Sequence, residues 1–146
     1  MALALSACGD SDSDGAASKD SPATALEADS GCRFASLEEI SDAMGTTYST
    51  AEDRGEDGCV YDSEDEYVEL TTFPTSEYEQ RLAEQLDGGS AQPTLVPNLG
   101  VEAVDAGPNL FVKTGSDISI KVLTSGRQAV EDQIAVAAIV VPRLGG

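Results

Sequence analysis

The chain has 146 residues, with 27 Asp and Glu against 8 Lys and Arg, no His, and a formal net charge of −19. Nucleic acid and anionic lipid headgroups are poor partners for such a chain on long-range electrostatic grounds, and chemistry that shuttles protons through His is excluded. A basic protein, a cationic peptide or a divalent cation is favoured instead, although Asp and Glu also serve simply to keep a secreted surface soluble.

In chain order, the first informative stretch is Leu5, Ser6, Ala7, Cys8 and Gly9, which reads as a lipobox with Cys8 as the lipid-bearing first residue of the mature protein. Small residues before the cut fit a signal peptidase, and the cysteine thiol accepts the lipid. A full secretory signal has a positive n-region and an apolar h-region of about 7 to 15 residues. Residues 1–7 hold neither Lys nor Arg, so they read as a truncated signal-peptide remnant with the true translation start upstream. The apolar run Ile134 to Val141 falls far short of the roughly 18 residues that a membrane span requires. The expectation is a domain held at the extracytoplasmic side of the cell membrane through acylated Cys8.

Residues 8–31 read as a flexible acidic tether. Gly9 to Gly31 hold six acids and one base, with Leu26 as the single large aliphatic side chain, and cannot recover the ordering cost of a fold. Self-repulsion keeps such a segment extended. Asp10, Asp12, Asp14 and Gly15 open like an EF-hand loop, but position twelve is Ser21 where a bidentate Glu should close the coordination.

Residues 32–146 fit one domain of α+β class. With Cys8 lipidated, Cys32 and Cys59 are the remaining candidates for a disulfide in an oxidising compartment. Closing that loop stabilises a fold by about 3 to 4 kcal/mol on the chain-entropy estimate. Their spacing is too long for a zinc or redox motif, and there is no His to share a metal.

Ser36 and Glu39 form a capping box ahead of a helix whose face is Leu37, Ile40 and Met44 and whose end is Gly45. Asp53, Gly55 and Gly58 mark a turn-rich connection into a strand at Cys59 to Tyr61. Tyr67 to Phe73 alternate as a half-buried strand, with Val68, Leu70 and Thr72 on one face and Glu69 and Thr71 on the other. A second helix runs from Thr75 or Ser76 to Asp87, with Tyr78, Leu82 and Leu86 on one stripe and Gly88-Gly89 as the stop. A loop over residues 90–93, the Val96 to Gly100 return and a short element at Val101 to Val104 follow.

Leu110 to Lys113 and Ile118 to Thr124 then read as a hairpin. Ser125 and Gln128 suggest another capping box, for a terminal helix that buries Val130, Ile134, Ala137, Ala138 and Val141 and is ended by Pro142. The architecture expected is a small antiparallel sheet packed against N-terminal, central and C-terminal helices, with the helix layer on one face and one disulfide.

The order of these parts resembles a family. A cysteine precedes a capped helix ending in Met44-Gly45, a second cysteine opens a strand, and Leu99-Gly100-x-x-Ala103, a hairpin and a C-terminal helix follow. This looks like the actinobacterial DUF3558 lipoproteins, small secreted proteins, over about residues 32–144 plus the lipobox. Members often carry Trp where this chain has Tyr61, and many carry an acid where it has Val101 before Glu102. The resemblance implies a location and a fold, and it supplies no catalytic residues.

The charge is uneven: Cys32 to Glu66 holds eleven acids and two bases, against five and four from Pro93 to Gly146. Asp62, Glu64, Asp65 and Glu66 are the densest candidate for a cation, yet a hard cation needs oxygens converging at about 2.3 to 2.6 Å. Neighbouring positions do not ensure convergence, and a solvated loop is the favoured interpretation. Tyr48 or Tyr67 beside an acid could serve chemistry, but the few rings here are more economically used for packing or contact. With no Gly-rich phosphate loop and no free thiol nucleophile, no catalytic residue, cofactor or metal is expected. The function expected is a non-catalytic binding or interaction module in the cell envelope, its partner a basic envelope protein, peptide or small ligand. The alternative is a small-molecule or divalent-cation carrier or sensor, which a concave apolar pocket with convergent polar groups would favour.

Overall fold

The computed structural model describes residues 31–55, 57–89, 92–126 and 130–145. The lipobox with Cys8, the tether before Gly31 and the Gln128 end of the second expected capping box lie outside them. The first helix, α1 (Leu37–Met44), starts as its local sequence dictates. Ser36 Oγ accepts from the Glu39 amide at 3.2 Å, and the Glu39 carboxylate accepts from the Ser36 amide at 2.9 Å. Gly45, at φ 67°, turns the chain out of the helix in the left-handed conformation that glycine adopts without strain. An eight-residue helix is marginal alone, and docking of the buried Ile40 and Met44 holds it.

Seven antiparallel strands form one sheet in the order β1-β2-β3-β7-β6-β5-β4. They are β1 (Thr50–Asp53), β2 (Gly58–Asp62), β3 (Tyr67–Pro74), β4 (Thr94–Leu95), β5 (Glu102–Asp105), β6 (Asn109–Lys113) and β7 (Ile118–Ser125). Two meanders meet at the central β3–β7 pair, in register from Tyr67 opposite Ser125 to Pro74 opposite Ile118. The connection between the meanders is α2 (Tyr78–Gly88), preceded by one 3-10 turn at Thr75–Glu77. After the hairpin comes α3 (Val130–Val140), continued by a 3-10 turn at Val141–Leu144 that contains Pro142.

The α+β class, the antiparallel sheet and the Cys32–Cys59 disulfide are as the sequence predicts. The helix layer is not confined to one face. Cys59, Tyr61, Leu70, Leu110, Val112 and Val122 face α1 and α3 in the larger core. Phe73, Phe111 and Ala106 lie in a second, smaller core with Tyr78, Leu82 and Leu86 of α2. Pleating explains the division, since Phe73 and Phe111 follow inward-facing neighbours and therefore point to the opposite side.

Two further differences are physical in origin. Residues 50–53, of which Asp53 alone was expected to mark a turn-rich connection, form edge strand β1 by pairing with β2; all four are exposed, so no apolar alternation marks them. The buried stripe of α3 is Gln133, Val136, Ala137 and Val140, whereas Ala138 is exposed and Val130 and Ile134 are half-buried. This helix is apolar almost all round, so periodicity does not select a face. Gln133 turns inward because its Nε2 donates to the Pro108 carbonyl at 2.7 Å, tying α3 to the β5–β6 turn.

The first and last described turns meet on the α1 side. A 3-10 turn, Gly31–Phe34, is pinned to β2 by the buried disulfide, with a Cα–Cα distance of 4.8 Å. Gly31 is required there, because a Cβ would stand 2.2 Å from the Gly58 carbonyl oxygen. Tyr61 Oη donates to the Ala35 carbonyl at 2.7 Å, and burial pushes this phenol's ionisation up. Arg143 Nη1 donates to the Phe34 carbonyl and to Glu39, closing the C-terminal turn onto α1.

Candidate functional site

The acidic segment that drew attention in the sequence is the β2–β3 turn. Ser63 closes it, its amide donating to the Glu66 carbonyl at 2.9 Å and its Oγ accepting from the Glu66 amide at 3.2 Å. Tyr48 Oη donates to Glu66 Oε1 at 3.2 Å, so the tyrosine brought beside an acid is Tyr48, which is 4% exposed and packs its ring in the main core. With Thr46, Thr47 and Ser49 the turn lines a shallow depression of about 440 Å³. Glu64 and Asp65 remain exposed, and no group of three or more His, Cys, Asp or Glu among the described residues could hold a metal ion. Asp62 is the register partner of Tyr67 across the hairpin and stands at the end of β2.

The more complete arrangement is on the opposite face of the sheet, where α2 covers only part of its surface. The apolar stripe Tyr78, Leu82, Leu86 is a single row of i, i+4 positions, so the helix buries a narrow band. It runs antiparallel to β6. Glu79 Oε1 pairs with Lys113 Nζ at 3.1 Å near one end, and Gln85 Oε1 accepts from Asn109 Nδ2 at 2.9 Å near the other. Tyr78 is fully buried, its ring stacked on Phe73 at a centroid distance of 6.5 Å, and burial together with the Glu102 and Glu79 carboxylates pushes its phenol up.

Along the flank of α2 lies a groove of about 250 Å³. Its floor is a row across three strands, Phe111 on β6, Lys121 on β7 and Thr71 on β3, which are direct register partners, with Phe73 beside them. Its wall is Arg81, Glu84 and Gln85 of α2. Arg81 places its guanidinium 4.9 Å from the Phe73 ring centroid while pairing with Glu77 one turn earlier at 2.8 Å. Glu84 accepts from Gln80 at 2.9 Å. Lys121, half-buried, has no ion pair or side-chain hydrogen bond among the described residues. The groove thus sets an ammonium, a guanidinium, a carboxylate, an amide and a hydroxyl around two almost fully buried rings, so its accessible lining is mostly polar.

Sequence reasoning missed this site. Lys121 reads as the solvent half of an alternating strand, and Arg81 and Gln85 as the solvent half of an amphipathic helix. Only the cross-strand register and the docking of α2 bring them together. Elsewhere, Leu95 and Val101 are the exposed large apolar side chains among the described residues, 72% and 67% accessible, at the β4–β5 end of the sheet. No family model, curated protein or solved structure matches the chain.

Proposed function

We propose that the chain is a lipid-anchored extracytoplasmic protein whose folded domain is a non-catalytic binding module of the cell envelope, akin to the DUF3558 lipoproteins. The buried Cys32–Cys59 disulfide carries the reading. Such bonds persist in oxidising compartments, and with these two cysteines joined the remaining one, Cys8, stands in the lipobox, outside the domain. The acidic tether supports it by supplying reach between bilayer and domain. Photo-crosslinking in cells from residues on the folded domain tests it, with capture of a specific envelope component as the expected result. Recovery of only the background captured by an unrelated lipoprotein overturns it.

A second reading, a small-molecule carrier or sensor, would seat its ligand in the groove beside α2, whose accessible lining is mostly polar. Its divalent-cation version has no comparable support, since the acidic turn presents its carboxylates apart from one another.

A further inference from the structure

We propose that the β1 edge of the sheet docks a basic, extended segment of another protein, which adds to β1 as a further strand. The proposal rests on the reading of this domain as a binding module and names the surface that does the binding.

An open sheet has two edges, here β1 and β4. Backbone pairing tells which groups each edge presents. The Arg54 amide donates to the Gly58 carbonyl at 2.9 Å, and from there the register runs from Asp53 opposite Cys59 to Thr50 opposite Asp62. Alternation therefore directs the amides and carbonyls of Thr50 and Glu52 at β2 and turns those of Ala51 and Asp53 outward. Neither outward residue has a backbone partner among the described residues, and both are exposed. Gly31 bounds this edge at one end, its amide donating to the Gly55 carbonyl at 2.9 Å. Beyond Ser49, at the other end, it opens onto the depression where Glu64 and Asp65 stand exposed.

The β4 edge is built differently. The Val96 amide donates to the Ala103 carbonyl at 2.9 Å and Leu95 lies opposite Val104, so Leu95 is the outward residue. Pro93 and Pro97, two positions to either side, have no N–H to offer a further strand. Proline closes an edge to every strand, whereas charge of one sign closes it only to strands of that sign.

The β1 edge has the second kind of protection. Residues 46–66 hold eight acids and one base, and that base, Arg54, is paired with Glu52 at 3.3 Å. A second copy of this chain would lay acids against acids, and so would its own stretch from Gly9 to Gly31. An extended segment carrying Lys or Arg at alternate positions instead gains the edge hydrogen bonds and the charge complementarity together.

The test is titration of the full, isotopically labelled chain at physiological salt with a capped peptide of about eight alternating lysines and valines, a length typical of a strand. Amide NMR and hydrogen exchange follow it. Shifts centred on β1 that saturate by about 1 mM peptide are expected, with exchange of the Ala51 and Asp53 amides slowed at least about tenfold. Slowed exchange is the signature of strand addition, because charge attraction alone leaves those amides open to water. The same peptide with every backbone amide methylated, and its glutamate–valine counterpart, should each bind at least about tenfold more weakly. So should the lysine peptide on the Ala51→Pro and Glu52→Lys variants, whose spectra report that they are folded; Glu52→Lys serves if Ala51→Pro does not fold. No saturation by about 1 mM, unslowed exchange at Ala51 and Asp53, or equal binding of the methylated peptide overturns the proposal. So does unchanged affinity in a folded variant, or protection of those two amides in the free chain that grows with its concentration, the mark of a second copy. Failure here alongside specific crosslinking in cells would sink the β1 site alone, whereas strand addition with no captured partner would sink the envelope-partner reading and keep the site.

Discussion

Replacing Arg143 with Met removes the clamp that joins the last turn of the domain to its first helix. Arg143 Nη1 donates to the Phe34 carbonyl at 2.5 Å and to Glu39 Oε2 at 3.0 Å, and Nη2 bonds Glu39 Oε1. The Glu39 carboxyl is held down from 4.5 to about 2, first by the Arg143 hydrogen bonds and then by the Ser36 amide. Both partners are about two-fifths exposed, so solvent screening reduces the ion pair to about 1 kcal/mol rather than the full value of that shift. Losing the bond to the Phe34 carbonyl adds about 1 kcal/mol. Arg143→Met should therefore cost about 2 kcal/mol, or a Tm fall of about 6 to 10 °C for a domain of this size.

Glu39→Gln keeps an N3 acceptor for the capping box and loses only the charge, at about 1 kcal/mol. Because the folded-state value of Glu39 is lowered, its stabilisation is complete well above pH 4.5, falls as pH drops through that value and is mostly gone by about pH 2. A double-mutant cycle over Glu39→Gln and Arg143→Met, by urea unfolding at neutral and acid pH, cancels the titration of the other acids. A coupling of about 1 kcal/mol at pH 7 that vanishes near pH 2 is expected. Coupling that is absent at pH 7, or unchanged in acid, would refute the clamp.

Three further outcomes are expected. Converting Cys32 and Cys59 together to Ser should lower stability by about 3 to 4 kcal/mol, measured by urea unfolding, given their sequence separation of 27. Gly31→Ala should cost about 1 to 3 kcal/mol, since its Cβ meets the Gly58 backbone, and hydrogen exchange should show weakened protection confined to β1 and β2. For the anchor, the chain expressed behind a complete secretory signal should partition with membranes and its Cys8→Ser version should not; equal partition would end the lipoprotein reading.

Legibility followed the range of the interactions. The capping box at Ser36 and Glu39 spans four residues and the alternation of β3 and β7 spans eight, so both were readable. The disulfide was readable because assigning Cys8 to the expected lipobox leaves Cys32 and Cys59 as one pairing. Edge strand β1 was not, since Thr50 to Asp53 are polar and form a strand only because β2 offers them a partner. Placement of α2 depends on Phe73, which follows the buried Thr72, and on Phe111, which lies between Leu110 and Val112 of the main core, and an aromatic there announces no face until the register is known.

The same reasoning accounts for the groove. Had α2 carried apolar residues at 81 and 85 as well as at 78, 82 and 86, its buried band would have been wide enough to cover Lys121 and Thr71, and a lysine there would have been costly. Arg81 and Gln85 instead bound the contact with the sheet on one side. Arg81 lies over the ring of Phe73, and Gln85 reaches Asn109 on β6. The narrow stripe that marks α2 as a surface helix in the sequence is therefore what leaves a cleft beside it. Lys121 occupies its floor because β7 alternates Ile120 and Val122 into the main core, turning the residue between them toward the opposite face, which α2 covers in part.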